Sequence, residues 1–260
     1  MGRTITQLVT ASNDLQLTSA CDHPSCGVIS HDTGEVAGVG NIDVPIIEGI
    51  ADTVRDCDVL VDFSHADSSV EAAESCKSQS KGLVIGTTGL NDEQLAFVTL
   101  ASQSVPILMS PNMSIGVNIT FKLVEIATKA LGDDVDIEIF EIHHSLKNDS
   151  PSGTAVRLGE IVADARDVEL DEKAVHGRVG FTGQRKSGTI GFHSARGGDI
   201  VGEHTVVYAG IGERVEITHR AQSRVNFGAG AIRAVRFIAA KMEVGETGFF
   251  DMDSVLGLGA

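Results

Sequence analysis

A chain of 260 residues, 42% of them hydrophobic, can fill one large core or two modest ones, which excludes an intrinsically disordered protein. A net charge of −16 at pH 7 excludes a general binder of nucleic acid or of an anionic membrane, because those partners require a basic face. The four cysteines, Cys21, Cys26, Cys57 and Cys76, lack C-x-x-C spacing, so no zinc site or disulfide framework is expected and reduced thiols point to the cytoplasm.

Taken in order, Thr4 to Ser12 reads as a helix with Ile5, Leu8 and Val9 on one side, and Leu15 to Cys21 as a strand ending at Asp22 and His23. Asp58 to Phe63 is a short apolar run of the kind buried in a parallel sheet, with its helix over Val70 to Cys76. Gly82 to Ile85 is the next strand, followed by the turn Gly86-Thr87-Thr88-Gly89 and a helix capped by Asn91. Val105 to Met109 is another strand, ending at Ser110-Pro111-Asn112. Strands alternating with helices predict an α/β, Rossmann-like, doubly wound sheet that binds ligands at the carboxyl ends of its strands. An acidic Asp22 at such an end suits a ribose 2′-hydroxyl and so NADH, while a protonated His23 suits the 2′-phosphate of NADPH. A solvated strand-end carboxylate fits the position of Asp22 equally well.

After a long helix over Ser114 to Ala130 the chain becomes strand-rich, with strands at Asp133 to His144, Ser187 to Ala195, Ile200 to Tyr208 and Arg214 to Arg220. The last two form a hairpin, and together these elements predict an α+β domain with a mixed β-sheet. Gly228 to Met242 reads as a helix.

The chemistry concentrates in Phe140 to Ala155, FEIHHSLKNDSPSGTA. On a strand, His143 and His144 point to opposite faces. Downstream, Ser150 is a candidate N-cap with Pro151 in the first turn and Ala155, Leu158, Ile161, Val162 and Ala165 at helical spacing. That leaves backbone N–H groups around Ser152, Gly153 and Thr154 to favour an anion. Lys147 adds a mobile positive charge. Two histidines, a lysine and a helix start converge on a site that grips a carboxylate and moves a proton.

The run from Glu138 to Ala155 resembles the signature of the dihydrodipicolinate reductase family, approximately E-x-x-E-x-H-H-x-x-K-x-D-x-P-S-G-T-A. Glu138, Glu141, His143, His144, Lys147, Asp149, Pro151, Ser152, Gly153, Thr154 and Ala155 meet its fixed positions. The resemblance extends to Gly86 to Gly89, Asn112 to Asn118, Gly198 to Thr205 and Gly248 to Met252. It implies reduction of the cyclic dehydrated form of 4-hydroxy-tetrahydrodipicolinate by NADH or NADPH, on the route to diaminopimelate and lysine. It implies a dinucleotide-binding domain over 1–114 with 224–260, and a substrate-binding and oligomerisation domain over 115–223 that builds a homotetramer through its sheets. By the same resemblance, Met1, Gly2, Asp22, His23, Gly86, Thr87, Thr88, Ser110, Pro111, Asn112 and Met113 line the cofactor. His143 and Lys147 carry catalysis, with His143 as the general acid. The small dicarboxylate substrate lies against Lys147, His144, Ser152, Gly153 and Thr154, facing a pyridine ring delivered from the other lobe.

The family's glycine-rich turn is Gly-x-x-Gly-x-x-Gly, and Met1-Gly2-Arg3 matches its tail, so Gly2 stands as the third glycine. The expectation is that Met1 is an internal methionine and that the working protein extends upstream. Met113 and Ile142 stand where phenylalanine and alanine are common in the family. Two rival readings follow. One is an inactive or ligand-sensing relative that kept the substrate pocket and lost cofactor binding. The other is a metal-dependent hydrolase, disfavoured because histidines on opposite strand faces chelate one ion poorly and H-x-x-x-H is absent.

Overall fold

The structure is a computed structural model that describes residues 1–258. It divides into two compact units, one holding Met1–Ile115 and the described residues from Val225 onward, the other Gly116–Arg224.

The first unit opens with α1 (Gly2–Thr10), β1 (Ala20–Cys21), α2 (Thr33–Ala37), β2 (Ile46–Ile47), α3 (Ile50–Arg55) and β3 (Val59–Asp62). It continues with α4 (Ala66–Gln79), β4 (Gly82–Ile85), α5 (Asp92–Ala101) and β5 (Pro106–Met109). Asn91 caps α5 in a reciprocal box with Gln94, as its sequence position predicts. The second unit holds α6 (Ile115–Leu131) beyond its first residue, β6 (Asp136–His143), α7 (Gly153–Ala165), α8 (Leu170–Lys173), β7 (Ala174–His176), β8 (Ile190–Arg196), β9 (Gly202–Ala209) and β10 (Arg214–Ala221). The chain then returns to the first unit through α9 (Val225–Glu243), β11 (Gly248–Phe250) and α10 (Met252–Leu256).

In the first unit β11, β5, β4 and β3 form a parallel sheet in that order. Successive side chains of β4 go to opposite faces: Leu83 and Ile85 pack with Val54, Ala72, Ala73 and Val98 of α3, α4 and α5, whereas Val84 packs with Ala231, Ala234, Ile238 and Met252 of α9 and α10. Helices on both faces make this a Rossmann-like unit. The predicted strand from Leu15 to Cys21 is corrected here. Only Ala20 and Cys21 find a ladder, against Ile46 and Ile47 in a separate two-stranded sheet. A strand exists only where a neighbour accepts its hydrogen bonds, and Leu15 and Leu17 are held instead by side-chain packing with Ile5, Val9 and Ile232.

The second unit is built on a mixed sheet in the order β10-β9-β6-β8-β7, with β9 antiparallel to its neighbours and β6, β7 and β8 parallel to one another. One face lies under α6 and α7, where Ile137, Ile139, Ile190, Phe192, Val206 and Tyr208 meet Val124, Leu158, Ile161 and Val162. The other face leaves Phe140 exposed. Period-two alternation runs the length of β6 and β9, so the inward face of β6 reads Ile137, Ile139, Glu141, His143. The same face that starts as core ends as a polar cluster.

Candidate active site

At the carboxyl ends of the parallel strands, a buried carboxylate organises the loops of the first unit. Asp62, the last residue of β3, accepts hydrogen bonds from the hydroxyls of Ser64 and Ser69, and from Thr87 Oγ1 at 2.9 Å. Thr87 Oγ1 in turn accepts from the Ser64 N–H at 2.8 Å, so the loops after β3 and β4 are fastened together. Gly86 is needed beside them, because a Cβ there would overlap the Phe63 ring. Thr88 faces solvent. After β5, the Ser110 hydroxyl donates to the Asn112 carbonyl at 2.9 Å and the Asn112 side chain accepts from the Ser114 N–H at 2.9 Å, while Pro111 is exposed.

The remaining predicted cofactor residues divide into exposed and buried. Asp22 and His23 are both exposed just past β1; the Asp22 carboxylate accepts the His23 N–H at 2.7 Å, and His23 Nδ1 is paired with the Ser25 hydroxyl at 2.8 Å. Met1 caps α1 and Gly2 opens it, with nothing within 4 Å of where a Gly2 Cβ would lie. Met113 is a core side chain, 1% exposed, and its carbonyl is packed so closely on Gly230 that a Cβ there would overlap it. It shapes the loop from behind.

In the second unit the strand register assembles the cluster. Beside Glu141 stand Ser194 on β8 and His204 on β9, and beside His143 stands Arg196. Glu141, 4% exposed, receives His143 Nδ1 at 2.6 Å and Arg196 Nη1 at 2.8 Å on one oxygen, and Arg196 Nη2 at 2.9 Å and the Ser152 N–H at 3.2 Å on the other. His204 Nε2 is paired with the Ser152 hydroxyl at 2.9 Å, and its ring meets that of His143 edge-on with centroids 5.1 Å apart. Gly202 leaves space above His143: a Cβ there would lie 2.8 Å from Nε2.

The start of α7 differs from its prediction. Ser152, not Ser150, is the N-cap, its hydroxyl accepting the Ala155 N–H at 3.2 Å, and the helix begins at Gly153. Both serines can cap, but Ser152 is held in place by Glu141 and His204 as well, whereas Ser150 is exposed. The N–H of Ser152 therefore serves Glu141, and the open part of the helix start is at Gly153, where no atom lies within 4 Å of a would-be Cβ. Lys147 also differs from the mobile charge expected of it. Its ammonium is held by both oxygens of Asp149, at 2.8 and 2.9 Å. His144, just past the strand, is half-buried and its Nδ1 is buried with no hydrogen-bond partner among the described residues.

Burial pushes the Glu141 carboxyl up, but Arg196 and His143 outweigh it and hold it at about 2. His143 is pushed below the ordinary histidine value by burial, against the pull of Glu141, with Lys147 and Arg196 adding to the fall. Burial, joined by His143, pushes His204 down to about 3. An ionised carboxylate only accepts, so His143 Nδ1 carries a hydrogen and Nε2 is the nitrogen that exchanges protons. Glu138, three residues before Glu141, lies on the opposite face, where Arg178, Arg185 and His193 surround it and bring its carboxyl, against burial, to about 2. A cavity lined by Asp164, Asp167, Glu169 and Glu172 lies past the other end of α7, and its charge is wrong for a dicarboxylate.

Glu141, Arg196, Gly202 and His204 thus join His143 in the cluster, and Asp62 organises the loops of the first unit. The signal for Glu141 was present, since a residue two before His143 on a strand shares its face. Arg196, Gly202 and His204 come from other strands, and their placement depends on a register that one strand does not encode.

Comparison with known proteins agrees in each half of the chain. Family models described as "Dihydrodipicolinate reductase, N-terminus" and "Dihydrodipicolinate reductase, C-terminus" match residues 1–113 and 116–256. A 4-hydroxy-tetrahydrodipicolinate reductase of Alkalilimnicola ehrlichii is 46% identical over 258 residues, 99% of this chain and 95% of that protein. Another, of Acinetobacter baumannii, is 45% identical over 99% of this chain and 93% of its own length. Among solved structures, a dipicolinate-bound dihydrodipicolinate reductase from Paenisporosarcina sp. TG-14 shares the fold at a TM-score of 0.74 and 22% identity, with 97% of this chain and 94% of that one covered.

Proposed function

Because the chain belongs to the dihydrodipicolinate reductase family, we propose that it reduces 4-hydroxy-tetrahydrodipicolinate, through its cyclic dehydrated form, to tetrahydrodipicolinate in lysine and diaminopimelate biosynthesis. The observation that carries the reading is the second-unit cluster: a histidine whose Nδ1 is tied down and whose Nε2 faces a glycine, a lysine whose charge acts on that histidine, and an open helix start at Gly153.

A nicotinamide dinucleotide fits the first unit. The exposed carboxylate of Asp22, the turn after β4 with Thr88 outward, and the unobstructed Gly2 at the start of α1 are of the kinds that hold ribose and phosphate. Asp22, His23, Gly86 to Thr88, Ser110 to Asn112, Met1 and Gly2 would hold it, with Met113 backing the loop. NADH is favoured by Asp22 and NADPH by a protonated His23, and fluorescence titration of each against wild type and Asp22→Ala separates them. When bound, the reduced nicotinamide supplies the hydride.

Lys147 exchanges Asp149 for a substrate carboxylate, with His144 and the Gly153 and Thr154 main chain beside it and Ser152 fixing the helix start. His143 gives the Nε2 proton to the ring carbon that becomes basic on reduction, and Lys147 assists that delivery. His143→Gln is expected to lower turnover by about 10²–10⁴-fold with substrate affinity retained. Lys147→Ala is expected to lower both. Unchanged rates of NAD(P)H oxidation in both variants would overturn the assignment. The same reading gives a cytoplasmic homotetramer assembled through the outward face of the mixed sheet, where Phe140 is exposed. A monomer in sedimentation equilibrium would remove that part.

A further inference from the structure

Glu141 has hydrogen-bond donors on all of its carboxylate acceptor sites. Its two oxygens are shared among an imidazole, both ends of a guanidinium and the amide of a helix cap. Arg196, besides gripping Glu141, donates to the carbonyls of Asp149 at 2.7 Å and Ala195 at 2.6 Å, so the loop bearing Lys147 is fastened to the same point. Four segments meet there: β6, β8, the loop after β6 and the start of α7.

We propose that Glu141 and Arg196 are positioning residues for His143, the carboxylate pinning Nδ1 and the guanidinium pinning the carboxylate, so that the only proton His143 exchanges is the one on Nε2. Neither residue touches substrate in this account. The proposal rests on the reading of His143 as the general acid, and it adds what makes that histidine fit for the task. A bidentate guanidinium is suited to this, because its planar fork fixes both carboxylate oxygens at once, which an ammonium does not. Gly202 complements it from β9 by leaving Nε2 uncovered.

The charges facing His143 decide the sign of the test. Glu141 on its own strand raises its proton affinity. Arg196 from β8 and Lys147 from the following loop lower it, as burial does. His204 from β9 is neutral around pH 7, and Ser152 at the start of α7 is uncharged. Removing the charge of Glu141 therefore makes His143 a poorer base, and the high-pH limb of turnover moves down.

The test is a histidine Cε1–H and ring-nitrogen NMR titration of the full chain, with the His143 signal assigned by its loss in His143→Gln. In wild type, neutral His143 is expected to carry its hydrogen on Nδ1. In Glu141→Gln the midpoint is expected to fall by about one unit or more, as loss of an adjacent opposite charge requires. In the same variant kcat should drop about 10–100-fold, with its high-pH limb displaced in parallel. Glu141→Asp, which keeps the charge but shortens the reach, should restore most of the midpoint and only part of kcat; it also serves if the glutamine variant does not fold. An unchanged His143 midpoint and pH limb in both variants would overturn the proposal. If His143→Gln itself retains full turnover, the general-acid reading fails instead, and the NMR midpoint still reports whether Glu141 governs that imidazole.

Discussion

Two buried carboxylates stand at the carboxyl ends of strands, Asp62 on β3 and Glu141 on β6, and they are satisfied by opposite kinds of donor. Asp62 takes three hydroxyls, from Ser64, Ser69 and Thr87. Glu141 takes a guanidinium, an imidazole and a backbone amide. A hydroxyl can turn and accept where it used to donate, whereas a guanidinium has no acceptor at all. The first arrangement holds loops in place with neutral groups; the second ties titratable groups to one another. A unit that only has to present backbone and hydroxyls to a ligand is served by the first. A unit that has to move a proton needs the second.

The largest break in that comparison comes from removing each charge without changing shape. Asp62→Asn is expected to cost about 1 kcal/mol, because its hydroxyl partners can reverse and accept from the new amide. Glu141→Gln sets an NH₂ against Arg196 or His143 and is expected to cost about 3 kcal/mol, towards the lower end for breaking a buried pair since Arg196 is 22% exposed. Urea unfolding of the two variants measures the difference, and equal losses would remove the distinction between the hubs.

The glycines beside each hub sharpen the contrast. Gly86→Ala drives a methyl into the Phe63 ring, a collision in the core that is expected to cost about 1–3 kcal/mol of stability. Gly202→Ala meets the far edge of the His143 imidazole instead, and at a φ of 159° it adds backbone strain expected to cost about 1–3 kcal/mol as well. Unlike Gly86→Ala, it should also lower turnover, by about tenfold, because the nitrogen proposed to exchange protons is the one it covers. Thermal melts and kcat together check the pair.

How far the sequence reached follows the same division. Elements whose signal is local were legible: Gly82 to Ile85 as a strand, the Asn91 cap and the hairpin of β9 and β10 all stand where periodicity and turn residues put them. The motif brought His143, Lys147 and Ser152 together because they lie within one strand, loop and helix start. Leu15 to Ser19 failed as a strand because a ladder requires a partner, and a partner is not a property of the segment. Helix α2 was passed over although Asp32 stands three residues before Glu35, a legible start whose side chain does cap it. Arg196 and His204 could not be placed by spacing, being more than fifty residues from Glu141 along the chain and adjacent to it only through register.

Acid titration probes the second hub through His204. His204 is held neutral by burial, with its value pushed down to about 3 from an unfolded value near 6.5. Between those values the unfolded chain binds the extra proton, so stability is full above about pH 6.5 and is lost as the pH falls towards 3. Carboxylates contribute little above about pH 5, which isolates the histidines in the upper part of the window. His204→Gln, which keeps a polar atom near the Ser152 hydroxyl, is expected to recover about 1–2 kcal/mol of the loss between pH 7 and pH 5. Equal pH slopes in the variant and wild type would show that His204 does not carry it.

The smallest effect is expected at the Lys147–Asp149 ion pair, which substrate opens if it binds as proposed. Asp149 is 61% exposed, and its carboxyl is held below the usual range chiefly by Lys147. An exposed pair of this kind contributes about 0–1 kcal/mol, so Asp149→Asn should barely move the urea midpoint. Substrate binding should respond more, because the carboxylate that competes for the Lys147 ammonium is gone while Arg196 still holds the loop through the carbonyl of residue 149. The expected outcome is a KM lowered by about two- to fivefold at low salt, with the gain shrinking as ionic strength rises and screens the attraction. A raised KM would mean that Asp149 aims Lys147 at the substrate rather than competing for it, and would move that carboxylate from the competitor's role to that of a guide.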